Sequence, residues 1–378
     1  MPFCYAKSAK KITSAPAEKL TIYTLWVCYL KYPIGSICIC CVSTREIDYI
    51  VPGQVSKYNY LQGIMSQKPN IPLRDTTQFL QDKFDKEISE LTLLSGGEWS
   101  LAYSFVHNKK KYVLRWCNSS ETFEKDAFAG SFGCEAMPIP KISDVGIKFD
   151  THYAISEFAL GNFIEKVSVS ELENTLPALF KLFDSLRNAN IASTTGFGGW
   201  DKNGKGSHTS WKEYLLDVKI DHQEKVTHGW YANLANSTLG TKIFDRLYAQ
   251  LESLVDQCPE VRELIHSDLL NSNLLVSSSK ISAVIDWQCS LYGDSLYDIA
   301  WFIFYAPWYP QFEAVQLCQK AMAHFESVAA NTANIKARLL CYQLHIGLGS
   351  IAYNSFRKDW HGAQKIAEYT LKIARGTI

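Results

Sequence analysis

The sequence predicts an α+β fold with antiparallel strands first and helices after, and three observations carry that reading. Strand-like apolar runs with short polar or glycine turns fill the stretch from Leu91 to Gly161. From Leu172 onward the apolar residues recur at three- and four-residue steps, the period of a helix. One hairpin-like segment interrupts that helical part: Leu274-Leu275-Val276 and Ile281 to Ile285, joined by the polar turn Ser277 to Lys280.

The first residues stand apart. Leu20 to Val42 is apolar except for Lys31, but Pro33, Gly35 and Ser36 break it into halves too short to span a bilayer as a clean helix. No small-residue cleavage site follows it, so a signal peptide is not expected. Residues 1–64 are expected to be a poorly ordered extension, with Met65 as an alternative start of translation and a membrane anchor the less favoured reading. Cys38-Ile39-Cys40-Cys41 has no second cysteine pair and is not read as a metal site.

From Arg74 the pattern becomes regular. Phe79, Leu80, Phe84 and Ile88 share one face of an expected helix Thr76 to Ile88. Leu91 to Leu94 and Trp99 to Val106 read as strands around Ser95-Gly96-Gly97-Glu98. Glycines there let backbone N–H groups approach a triphosphate, although a plain hairpin turn would use them equally. Lys111 to Trp116 pairs back through the turn His107 to Lys110, Glu121 to Phe132 reads as a helix, and His152 to Gly161 as a strand leaving into a loop.

The later part carries the helical stripe Leu172, Leu176, Leu179, Phe180, Phe183 and Leu186, with similar patterns over Ile243 to Val255, Ile299 to Phe304 and Ile335 to Ile351. Gly196 to Gly206, rich in glycine, reads as a mobile loop able to close over a substrate. Trp211, Glu213, Asp217, Asp221, Asp294, Tyr305 and Trp308 are candidates for an acidic, aromatic pocket, with Trp211, Asp294 and Trp308 the preferred substrate contacts.

The densest chemistry lies between Leu264 and Trp301. Asn273 follows Asp268 by five residues, the spacing of a kinase catalytic loop, in which the Asp orients the attacking hydroxyl and the Asn holds magnesium. The expected hairpin returns Asp286 to Asn273, giving magnesium the hard oxygen ligands it prefers and leaving Asp268 to face the acceptor. His266 is expected to brace the loop from a buried position. Asp298 is expected to cap a helix or take backbone N–H bonds from that loop.

These motifs resemble the aminoglycoside phosphotransferases of the protein-kinase-like superfamily, particularly the branch that phosphorylates hygromycin B. LSGGEWSLAYSF from Leu94, YVLRW from Tyr112, MPIP from Met137, TTGFG from Thr194, AVIDW from Ala283 and GDSLYDIA from Gly293 support it. The likeness begins near Arg74 and implies a two-lobed protein-kinase-like fold: a small antiparallel N-lobe over 65–158 and a larger, mainly helical C-lobe over 159–378. It also implies ATP and Mg2+ as cofactors, an aminoglycoside-like hydroxyl acceptor, and antibiotic resistance as the outcome. Gly96, Gly97 and Arg115 would hold phosphates, Arg115 standing where kinases place lysine; a guanidinium can grip phosphate in a bidentate manner. Glu124 or Asp126 could pair with Arg115. The backbone of Glu157, Phe158 and Ala159 would meet the purine. A kinase for a sugar, choline or amino alcohol is the alternative, and a non-catalytic nucleotide-binding module a remoter one. No recognisable activation segment lies between Asp286 and Asp298, which disfavours a protein substrate.

Composition fits a small-molecule enzyme. Lys+Arg 38 balance Asp+Glu 38, so no nucleic-acid footprint is present, and 13% aromatic residues suit filled cores and pockets. Eleven scattered cysteines read as reduced thiols and favour the cytoplasm over a disulfide framework.

Overall fold

Arg115 lies at the centre of a five-stranded antiparallel sheet whose strands are β1 (Ile88–Leu93), β2 (Ser100–His107), β3 (Lys110–Cys117), β4 (Ile142–Lys148) and β5 (Thr151–Glu157), ordered β1-β2-β3-β5-β4. Register sets Arg115 between Ala102 and Ala154. The computed structural model describes residues 68–84, 87–94, 97–329 and 331–377. The expectations for residues 1–64, for Cys38 to Cys41 and for Gly96 lie outside the described residues.

Asn108 and Lys109, with φ of 50° and 63°, form the two-residue left-handed turn that matches the twist of the β2–β3 hairpin. The helix expected over Thr76 to Ile88 runs instead from Leu73 to Lys83. At Phe84 φ reaches −119°, the helix ends, and Ile88 opens β1. The apolar spacing misled because both elements bury residues on one small core. Phe79 packs on Trp116 and Tyr153 with ring centroids 5.1 and 4.7 Å apart, and Phe84 packs on Phe105.

The helix Glu121–Ala129 and a 3₁₀ turn, Gly130–Phe132, together fill the span read as one helix. Beyond β5 the chain is mainly helical. Ser168 caps Val169–Arg187 by accepting from Glu171 N, and Leu172, Leu176, Leu179, Phe183 and Leu186 enter the core. Phe180, the stripe residue left only half-buried, stacks on His324. Ile335–Arg357 is the central helix, packed by Trp360–Ala374, Lys242–Leu254, Trp230–Ala235 and Leu296–Tyr305.

Short strands are set among the helices: β6 (Asn162–Phe163), β7 (Phe197–Trp200), β8 (Gly206–His208), β9 (Glu263–Ile265), β10 (Leu274–Ser277), β11 (Lys280–Val284) and β12 (Leu291–Gly293). They form two small sheets, β11-β10-β6 and β8-β7-β12-β9. The segment Gly196 to Gly206, read as a mobile loop, is thus a hairpin pinned to a sheet. Trp200 is buried against Phe128 and stacks on Tyr292 at 5.7 Å, and a Cβ at Gly198 (φ +72°) would meet the Tyr214 ring at 2.3 Å. Glycine richness there reflects close packing, not freedom.

Among the described residues no helix is long and apolar enough to cross a membrane. All six described cysteines are free thiols.

Candidate active site

The β10–β11 hairpin brings two of the expected site residues together. Leu274 pairs with Val284, and Ile285 N donates to Asn273 O at 3.0 Å, so the ladder runs on until Asn273 and Asp286 flank its open end. Asp286 leaves the strand in the left-handed region (φ 62°, ψ 71°), which a short polar side chain tolerates better than most.

Asp268 is held from the other side. The Asp298 carboxylate accepts His266 N at 3.0 Å and Ser267 N at 2.7 Å, tying the loop to the start of the helix Leu296–Tyr305. The buried His266 places Nε2 3.1 Å from Ile285 O, and its Nδ1 accepts Asp268 N at 3.3 Å, so the ring bridges the loop and the hairpin. Both residues thus take the bracing positions read from the sequence. Asn271 Nδ2 donates to Asp268 Oδ1 at 2.8 Å. Asn273 Nδ2 donates to Asp268 Oδ2 and to its main-chain oxygen, each at 2.9 Å.

The electrostatics share one theme, burial that penalises the charged form. Asp268 keeps one edge at the surface, yet the protein around it pushes its carboxyl well above the usual carboxylate range; Asp286 and Glu165 add to this, and Asn271 and Asn273 oppose it. Asp286 is also raised, first by burial and then by Asp126, against the pull of Arg115 and Lys125. Burial pushes Asp298 up to about 7 despite its two N–H donors, and lowers His266 to about 4, which keeps that ring neutral.

Arg115 pairs with Asp126, Nη2 to Oδ2 at 2.6 Å, and Asp126 Oδ1 accepts Trp287 N at 2.8 Å. The choice left open by the sequence falls to Asp126, because Glu124 turns to Lys202. Through Asp126 the arginine is bound to the residue next to Asp286. Lys125, which sequence reasoning missed, is buried beside it and donates to Gln288 O at 2.6 Å with its ammonium over Trp200. A lysine between two acids on a helix reads as solvent-facing, so no signal marked it.

Gly97 takes a left-handed φ of 59°, and a Cβ there would crowd Ser100. At the hinge, Glu157 N is spent on Lys141 O and Phe158 N on Lys111 O. Among the described residues Ala159 N–H has no backbone partner.

Two preferred substrate contacts are corrected by burial. Trp211 is fully enclosed, its Nε1 donating to Tyr342 Oη and its ring stacked on Tyr214. Asp294 is a core anion gripped by Arg338 at 2.7 Å and by Tyr342 Oη at 2.6 Å. Of the wider candidates, Glu213 accepts Thr209 N ahead of the helix Trp211–Leu216, and Asp221 accepts Gly229 N and Tyr231 N. Trp308 is half-buried on Tyr369, and Tyr305 bonds Ser350 at 2.8 Å. Asp217 lines a cleft of about 260 Å³ with Tyr214, Lys225, His345 and Tyr353. Contacts with His208, His222 and Lys225 hold its carboxyl down at about 2 against burial.

A sequence profile described as the phosphotransferase enzyme family matches residues 90–330, a span that contains Arg115, Asp268, Asn273 and Asp286. The chain belongs to this phosphotransferase family. The hygromycin-B 4-O-kinase of Escherichia coli is 31% identical to it over 287 residues, covering 75% of this chain and 80% of that protein. The crystal structure of aminoglycoside phosphotransferase APH(4)-Ia superposes with a TM-score of 0.72 at 28% identity, covering 80% of this chain and 99% of that one. A thermostable mutant of APH(4)-Ia, solved as a ternary complex with AMP-PNP and hygromycin B, gives 0.70 at 28% identity over 79% of this chain and 97% of its own. This phosphotransferase therefore has the kinase-like architecture expected of it, an antiparallel N-lobe sheet and a helical C-lobe.

Proposed function

We propose that this phosphotransferase moves the γ-phosphoryl group of ATP to a hydroxyl of a hygromycin B-like aminoglycoside, in the cytoplasm, and so confers resistance. The arrangement of Asp268, Asn273 and Asp286 at the mouth of one hairpin is the observation that carries the reading. The proposed division is 65–158 for the nucleotide lobe and 159–378 for the lobe that holds the catalytic loop and acceptor.

A magnesium ion fits the donor set. Asn273 spends both amide hydrogens on Asp268, which leaves Oδ1 as an acceptor, and the raised carboxyl of Asp286 wants a cation. Magnesium takes its remaining ligands from phosphate and water. Asn273 and Asp286 would hold it, and when bound it neutralises charge on the phosphates.

Asp268 orients the acceptor hydroxyl in line with the γ-phosphorus. As the new P–O bond forms, the bond to the bridging oxygen breaks, ADP departs, and the hydroxyl proton passes to Asp268. Because the transition state is loose, position and electrostatics matter more than base strength. Arg115 would reach a phosphate while Asp126 fixes its other edge, Gly97 would offer its backbone N–H, and the backbone of Glu157, Phe158 and Ala159 would frame the purine.

The test incubates the full chain with Mg·ATP and either hygromycin B or a panel of neutral sugars, choline and amino alcohols, and follows ADP release and the phosphorylated product by mass spectrometry. Phosphorylated hygromycin B is the expected product. Transfer only to a member of the panel would replace the acceptor. One observation keeps that second reading alive: Asp217, the one carboxylate lining the cleft beside Tyr353, is already engaged by His208, His222 and Lys225, so that cleft offers a cationic acceptor little free negative charge.

A further inference from the structure

Glu98 is the residue after Gly97 in the β1–β2 turn, yet its carboxylate is held by the helical lobe. Oε2 accepts from Tyr353 Oη at 2.6 Å, and Oε1 forms an ion pair with Arg357 Nε at 3.0 Å. Tyr353 and Arg357 are four residues apart on the helix Ile335–Arg357, so both lie on one of its faces. A short charge-assisted O–H···O⁻ bond is among the stronger polar contacts a protein makes, and the half-exposed ion pair adds less.

That helix face leads on to the chemistry. Ser350, one turn before Tyr353, bonds Tyr305, and the Tyr305 phenol lies within the field of Asp268. Tyr353 itself lines the cleft with Asp217, Lys225 and His345. The phosphate-loop turn, the cleft wall and the neighbourhood of Asp268 are therefore joined through three side chains of a single rigid element.

We propose that Glu98 is a positioning residue, which Tyr353 and Arg357 use to fix the glycine turn over the nucleotide and to couple its position to occupation, by the acceptor, of the cleft that Tyr353 lines. The proposal rests on the phosphotransfer reading above. Gly97, left-handed and without a side chain, cannot anchor the turn itself. The backbone N–H groups meant for phosphate are thus placed by a contact made in the other lobe. An acceptor that touches Tyr353 changes the partner of Glu98, and by reciprocity bound nucleotide changes the affinity for acceptor.

The experiment compares wild type with Glu98→Gln and Tyr353→Phe, both close in shape to the originals. Hydrogen exchange of the ligand-free full chain is read first. The Leu94 amide, bonded to Ala102 O at 2.9 Å across the base of the turn, is expected to exchange about tenfold faster in both variants, while the body of the helix Ile335–Arg357 stays protected. Unchanged exchange at Leu94 would overturn the proposal whatever the acceptor is. AMP-PNP affinity with Mg2+ is then measured with and without hygromycin B. Wild type should show coupling of about fivefold or more, falling toward one in the variants. Equal coupling in all three proteins would also overturn it, whereas wild type that binds no hygromycin B would refute the acceptor assignment and leave the exchange result to decide the strap.

Discussion

Asn273 donates both hydrogens of its side-chain amide to Asp268, one to the carboxylate and one to the main-chain oxygen, each at 2.9 Å. The bond pair fixes the amide and leaves its oxygen as an acceptor. Replacing Asn273 with Ala removes a proposed ion ligand and frees Asp268 together. Affinity for AMP-PNP at fixed Mg2+ is expected to fall by about 10–100-fold, the range for disturbing a metal site's support. Calorimetry that finds unchanged affinity would remove Asn273 from the ion site.

Asp268→Ala should lower turnover by about 10²–10⁴ with little change in nucleotide affinity, the usual range for a positioned proton acceptor. The pH profile adds a sign. Because Asp268 is held well above the ordinary carboxylate range and acts as the anion, turnover should rise with pH along an acid limb displaced upward from 3.8. Bound magnesium would draw that limb down. Asp268→Ala retaining near-normal turnover would eliminate its role.

Legibility in the sequence followed distance along the chain. Asp268 and Asn273 are five residues apart and Asp286 is returned by a short hairpin, so local rules were enough to assemble them. Arg115 could be placed on its strand, but the choice between Glu124 and Asp126 depended on how their helix meets Trp287, far along the chain. Trp211 and Asp294 misled because an acidic, aromatic composition is shared by pockets and by polar cores. Gly196 to Gly206 misled because glycine serves close packing as well as motion. Ser350, Tyr353 and Arg357 were not marked, because they are a few among many polar residues of their helix and their partners Tyr305 and Glu98 lie far along the chain.

The correction at Asp294 can be checked directly. Its ion pair with Arg338 is almost wholly buried, the side chains retaining 1% and 2% exposure, and Tyr342 adds a third contact. Removing one partner strands a buried charge, so Asp294→Ala should cost about 3–5 kcal/mol of stability in denaturant unfolding. At a temperature where the variant remains folded, its KM for acceptor should match wild type. A raised KM with normal stability would restore Asp294 to the substrate site.

His266 supplies a test of the catalytic-loop brace through pH. Burial lowers the ring to about 4 from 6.5, so between those values the unfolded chain takes up a proton that the folded one refuses, and stability contributed by His266 rises with pH across that window. Asp298 works in the opposite direction. Raised from 3.8 to about 7, it holds a proton in the folded state that the unfolded state has lost, and its contribution falls as pH rises. Asp268 and Asp286 share that second sign, so the whole-protein curve mixes both. His266→Asn separates them, because asparagine can still offer an acceptor to Asp268 N but does not titrate. Urea unfolding at several values between about pH 4.5 and about pH 7 should show wild type gaining on the variant as pH rises, by up to on the order of 3 kcal/mol. Parallel curves would mean that the histidine is not held neutral by burial, and the brace between Ile285 and Asp268 would need another account.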